Sequence, residues 1–96
     1  MIGVVVTFED GQKFDRGVIG KIAEEASNMF RGMPGLRNKF FSIDEDDRRV
    51  RNIYIWDDAD AARKFFNVEL TTRVTGLYGV KPTIEFVDVL ELVDNS

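Results

Sequence analysis

Leu36-Arg37-Asn38-Lys39-Phe40-Phe41-Ser42-Ile43 and Val50-Arg51-Asn52-Ile53-Tyr54-Ile55-Trp56 are two β-branched and aromatic runs separated by the polar knot Asp44-Glu45-Asp46-Asp47-Arg48-Arg49. Such a pattern predicts an antiparallel hairpin with a solvated tip. Upstream, Ile2 to Phe8 reads as a strand closed by Glu9-Asp10-Gly11. Val18, Ile19, Ile22, Ala23, Ala26, Met29, Phe30 and Met33 then recur at three- and four-residue intervals, one stripe of a helix. Asp15 caps its start, and Gly32 and Pro34 end it. Downstream, Asp57 or Asp58 caps a second helix with Ala61, Ala62, Phe65 and Phe66 on its buried side. A less regular stretch through Thr71, Arg73 and Leu77 follows, and Thr83 to Val93 forms the last strand. The order βαββαβ predicts an α+β ferredoxin-like sandwich, a four-stranded antiparallel sheet with two helices on one face, as one domain over residues 1–96.

Composition narrows the chemistry. Of 96 residues none is cysteine or histidine, which removes disulfides, thiol catalysis, the usual neutral-pH base and the commonest zinc and haem ligands. No metal site is expected. A formal net charge of −4 disfavours a nucleic-acid binder, which needs a basic face against phosphates. No apolar run approaches the ~20 residues that span a bilayer. Met1-Ile2-Gly3-Val4 lacks a basic segment ahead of an apolar one, so no membrane association and a cytoplasmic location are expected.

A two-layer sandwich with one wet sheet face would show strict alternation of apolar and polar residues. Val4-Val5-Val6, Phe40-Phe41, Ile53-Tyr54-Ile55-Trp56 and Ile84 with Phe86-Val87 instead place large apolar groups on both faces. Left bare, the outer face would exceed what monomers tolerate, and no helix remains to cover it. A homodimer joined sheet to sheet is expected.

Met33-Pro34-Gly35-Leu36, Lys39, Ile53-Tyr54-Ile55-Trp56-Asp57-Asp58 and Ala62 together resemble the core pattern of small mono-oxygenase-like proteins of the YdhR type. These belong with the antibiotic-biosynthesis mono-oxygenase-like dimeric α/β barrels. The likeness continues through Thr71, Arg73, Leu77 and Val87-Asp88-Val89, most of the chain in order. The resemblance implies a dimeric ferredoxin-like fold with a pocket between sheet and helices in each subunit. It also implies oxidation of a phenolic or polycyclic aromatic compound without metal or flavin. Such chemistry needs no histidine or cysteine, because the deprotonated substrate itself reduces oxygen.

Asn52, Tyr54 and Trp56 share one face of the third strand and are candidates for binding an aromatic ligand; the alternative is a packed core. Similarity to haem-degrading proteins of the same superfamily places a tryptophan at Trp56 on the helix-facing side, but their iron-ligating histidine has no counterpart. Lys39 or Arg37 would hold a phenolate or carboxylate, the alternative being a solvated strand end or a cross-strand ion pair. Whether Lys39 or Asn38 faces Tyr54 depends on the hairpin register. Arg73 and Tyr78 are placed in a lid segment, with a surface role or a subunit contact as the alternatives. Glu85 would be a base if it faced the pocket. Asp44 to Asp47 lacks calcium-loop spacing and reads as a hairpin tip.

Two functions remain open from the sequence. One is a cofactor-independent mono-oxygenase acting on a small aromatic or polyketide-like compound. The other is a non-catalytic ligand-binding or structural homodimer. A cavity beside Tyr54 and Trp56 distinguishes them, unless Phe65, Phe66 and Met29 fill that space.

Overall fold

A computed structural model describes residues 1–95. The elements are β1 (Ile2–Glu9), α1 (Arg16–Phe30), β2 (Leu36–Asp44), β3 (Arg49–Trp56), α2 (Ala59–Phe65), α3 (Val68–Tyr78) and β4 (Thr83–Asp88). The strands form one antiparallel sheet in the order β2-β3-β1-β4, the ferredoxin-like arrangement.

Local chemistry sets the helix ends. Asp15 accepts the Val18 N–H at the start of α1, and Asp58 accepts the Asp60 and Ala61 N–H groups at the start of α2. The second crossover holds two helices where the sequence predicts one followed by an irregular stretch. Asn67 interrupts it, accepting the Leu70 N–H as the cap of α3. Gly79, in the left-handed region at φ 75°, ends α3. Thr71, Thr72, Thr75 and Gly76 weaken the helical signal by propensity. In the fold the Thr71 and Thr75 hydroxyls bond the carbonyls of Asn67 and Thr71, and Leu70 and Tyr78 are buried on the sheet side. Arg73 therefore stands on a helix and not in a loop.

The last strand is shorter than the Thr83 to Val93 expectation. Asp88 pairs with Ile2, and one further bond runs from Val89 N–H to the Met1 carbonyl.

Each cross-strand row has a fixed face. Toward the helices lie Phe41–Asn52–Val6–Ile84 and Lys39–Tyr54–Val4–Phe86, with Leu36–Trp56–Ile2 next to them. The opposite face carries Phe40–Ile53–Val5–Glu85 and then Ile55–Gly3–Val87. Glu85 thus points away from the helices and is exposed, which removes it as a base in the interior. The same outer face leaves Phe40 51% exposed and Val87 41% exposed. The core proper lies on the helix side: Val4, Val6, Phe8, Val50, Tyr54 and Trp56 from the sheet, with Ile19, Ala62, Leu70 and Tyr78 from the helices. Among the described residues no helix is long and apolar enough to cross a membrane.

Candidate active site

A half-open cavity of about 300 Å³ lies between the inner sheet face and helices α1 and α3. It has room for roughly two or three fused aromatic rings. Its walls are mostly apolar: Val6, Phe8 and Ile84 from the sheet, Ile22 and Phe30 from α1, and Val74 from α3. Lys39, Asn52, Tyr54 and Tyr78 supply polar atoms in the interior, and Glu25 and Arg73 are exposed residues on the wall.

Lys39 reaches this cavity because of a β-bulge. The β2–β3 register shifts between Leu36, opposite Trp56, and Asn38, opposite Ile55. The extra residue, Arg37, turns to the surface and pairs with Asp57 at 2.9 Å, where both side chains are about half exposed. Unbulged pairing would set Asn38 opposite Tyr54; the shift sets Lys39 there. The Lys39 ammonium nitrogen donates to the Tyr54 hydroxyl at 2.8 Å. It also lies 3.5 Å from the centre of the Phe30 ring, 4.1 Å from Phe41 and 4.2 Å from Tyr54. Among the described residues no carboxylate pairs with it.

Burial without an anionic partner lowers the Lys39 pKa from 10.5 to about 7. The three ring faces favour the cation and offset part of that shift. Burial raises the Tyr54 hydroxyl well above the usual phenol range, with Tyr78 adding to the effect, so Tyr54 stays protonated. Tyr78 is raised by burial too, against a hydrogen bond from the Asn52 side-chain amide at 3.3 Å. It stacks on Phe8 with ring centres 3.9 Å apart and is buried, so it forms cavity wall and not a gate at the mouth. Asn52 is 4% exposed, and its carbonyl oxygen Oδ1 has no partner among the described residues. A buried acceptor on a cavity wall is suited to a ligand's hydroxyl or N–H.

Four of the five predicted residues, Lys39, Asn52, Tyr54 and Arg73, line one cavity, and Trp56 does not. Trp56 is 1% exposed, with Phe65 at 5.5 Å, Phe66 at 6.2 Å and Tyr54 at 6.3 Å between ring centres. Its indole N–H finds no acceptor among the described residues. Space beside Trp56 is filled, as in a packed core, while space beside Lys39 and Asn52 is open. Met29, 47% exposed, lies on the cavity wall without closing it. The sequence does not single out Phe30 or Phe41 as neighbours of Lys39: Phe41 stands two residues along β2 and Phe30 comes from the end of α1, a juxtaposition seen only in the fold. Among the described residues no group of acidic side chains could hold a metal ion.

This architecture recurs in solved structures. The mono-oxygenase from ActVA-Orf6 of Streptomyces coelicolor, solved with nanaomycin D, superposes with a TM-score of 0.70 at 24% identity, over 99% of this chain and 92% of that one. SnoaB of Streptomyces nogalater, a cofactor-independent oxygenase, gives 0.65 at 17% identity over 96% and 94%. A further antibiotic-biosynthesis mono-oxygenase gives 0.69 at 18% identity over 95% and 100%. The chain has the fold of the antibiotic-biosynthesis mono-oxygenases. No family model matches it, and no curated protein does.

Proposed function

We propose that the protein is a cofactor-independent mono-oxygenase that oxidises a small phenolic, fused-ring aromatic compound in the cavity beside Lys39. The observation that carries this reading is the pairing of an apolar cavity of about 300 Å³ with a desolvated amine and the free acceptor Asn52 Oδ1 on its wall. Fold shared with SnoaB and the Streptomyces coelicolor mono-oxygenase supports it.

In this reading Lys39, with its pKa lowered by burial, takes the phenolic proton and becomes an ammonium ion. That cation then holds the phenolate, and Tyr54, still protonated, donates a second hydrogen bond to the anion. Asn52 Oδ1 accepts from a second hydroxyl on the ring system, and Arg73 screens negative charge at the rim. The apolar walls keep water from the electron-rich anion, which passes an electron pair in steps to molecular oxygen. One oxygen atom enters the ring as a carbonyl and the other leaves as water.

The outer sheet face, with Phe40, Ile53, Val5, Ile55 and Val87, supports a homodimer joined sheet to sheet. In that assembly the two cavities lie on opposite outer sides, each built from one subunit's sheet and helices.

Oxygen uptake with a panel of hydroquinones and anthrones, in the presence of a metal chelator, tests the reading. Uptake above buffer that falls in Lys39→Met supports it. No uptake with any member of the panel favours the second reading, a ligand-binding homodimer.

A further inference from the structure

Lys39 presents a primary amine to an apolar cavity, with Tyr54 Oη 2.8 Å from Nζ and three aromatic rings around it. Lysines in such surroundings are nucleophiles as well as bases, because the uncharged amine carries the lone pair. We infer that this cavity takes aromatic aldehydes and ketones as a covalent imine on Lys39. The inference goes beyond the oxygenase reading and does not depend on it, since neither oxygen nor a phenol takes part.

The geometry fits each step of imine formation. The Nζ lone pair attacks the carbonyl carbon, forming the C–N bond while the C=O π pair moves onto oxygen. Tyr54, the hydroxyl in contact with the amine, gives that oxygen its proton and regains one from the ammonium nitrogen, leaving a carbinolamine. Loss of the hydroxyl as water, with the remaining nitrogen proton released, gives the neutral imine. The aromatic part of the ligand lies against Phe30 and Phe41, and the mouth beyond α1 and α3 lets water leave.

The state of the amine supports the same conclusion. At pH 7 an ordinary lysine is uncharged to roughly 0.03%, whereas a group titrating near 7 is about half uncharged. Burial places Lys39 at about 7, and the ring faces move it part of the way back. Other titratable or charged groups facing the cavity are Glu25 on α1, Arg73 and Tyr78 on α3, and Tyr54 on β3. Glu25 and Arg73 are exposed, and Tyr54 and Tyr78 are both held protonated by burial. None replaces the anionic partner that would keep Lys39 charged.

The test is reductive trapping: wild-type protein with benzaldehyde and sodium cyanoborohydride near pH 7, followed by peptide mass mapping. The hydride reduces the imine carbon and fixes one benzyl group on nitrogen. Lys39 should be labelled on the order of 100-fold faster than Lys13, Lys21, Lys64 and Lys81. This comparison lies within one wild-type sample and requires no variant to fold. Lys39→Met should lose only the fast label, and Tyr54→Phe should slow Lys39 labelling on the order of tenfold without moving it. Labelling of Lys39 no faster than of the other four lysines, or equal fast labelling of wild type and Lys39→Met, would overturn the inference. Oxygen uptake without selective trapping sinks the imine alone; trapping without uptake sinks the oxygenase alone.

Discussion

The Lys39 ammonium nitrogen and the Tyr54 hydroxyl, 15 residues apart in the chain, meet at 2.8 Å inside the cavity. The contact exists because Arg37 is squeezed out of the β2–β3 ladder, which turns the next residues over by one position. Deleting Arg37 should close the bulge while leaving Asn38 opposite Ile55 and Lys39 opposite Tyr54. The deletion variant is expected to keep both its oxygen uptake and its far-ultraviolet circular dichroism.

A proton-accepting Lys39 makes the rate depend on pH. The uncharged amine is the active form, so kcat/KM should rise as pH passes upward through the Lys39 pKa, near 7 or somewhat above it. Lys39→Met should lower kcat/KM by about 100-fold or more and remove that limb of the profile. Steady-state oxygen uptake between pH 5 and 9 measures both.

The same group costs stability. Its folded pKa lies below the unfolded value of 10.5, so between about 7 and 10.5 the unfolded chain binds a proton that the folded chain does not. Stability of the wild type therefore rises with pH across that window, by at most ~1.4 kcal/mol per pH unit. Below it the penalty is fully present. Lys39→Met should be more stable than wild type by about 1–3 kcal/mol at pH 7, allowing for the ring faces. The gap should close as pH approaches 10. Urea unfolding at several pH values reads it.

Trp56 supports the fold and not the ligand. Packed against Tyr54, Phe65 and Phe66 at 1% exposure, it leaves a large void when truncated. Trp56→Ala should cost about 3–5 kcal/mol of stability. Trp56→Phe, which keeps most of the volume, should bind aromatic ligands within about threefold of wild type, because the ring is absent from the cavity wall.

How much of this was legible in the sequence differs by residue. The cap Asp15 and the apolar stripe of α1 were readable because local chemistry alone specifies them, and the α2 cap was narrowed to Asp57 or Asp58, of which the fold uses Asp58. So was the shared face of Asn52, Tyr54 and Trp56, since strand alternation is fixed. Helix α3 was hidden by its threonines and Gly76, whose unfavourable propensity is outweighed by burying Leu70 and Tyr78. Lys39 versus Asn38 was not decidable, because a bulge at Arg37 reflects cross-strand packing and leaves no composition mark. Nor was the separation of Trp56 from its two strand-mates, which depends on where Phe65 and Phe66 settle after the turn into α2.

The outer face gives a prediction of its own. Phe40→Asp or Ile53→Asp puts a charge in the centre of the apolar rows, where a partner sheet would desolvate it. Either variant should sediment as a monomer at concentrations where the wild type sediments as a dimer. A wild-type chain that is monomeric at tens of micromolar would remove the sheet-to-sheet assembly.

In the proposed reaction Lys39 holds a phenol as its anion. Naphthol titrated anaerobically into the protein below the naphthol's own pKa tests it most directly, by absorbance. The red-shifted naphtholate band should appear with the wild type, saturate at one ligand per chain, and be absent with Lys39→Met. Bound naphthol that keeps its neutral spectrum, or the same band in both proteins, would contradict the account.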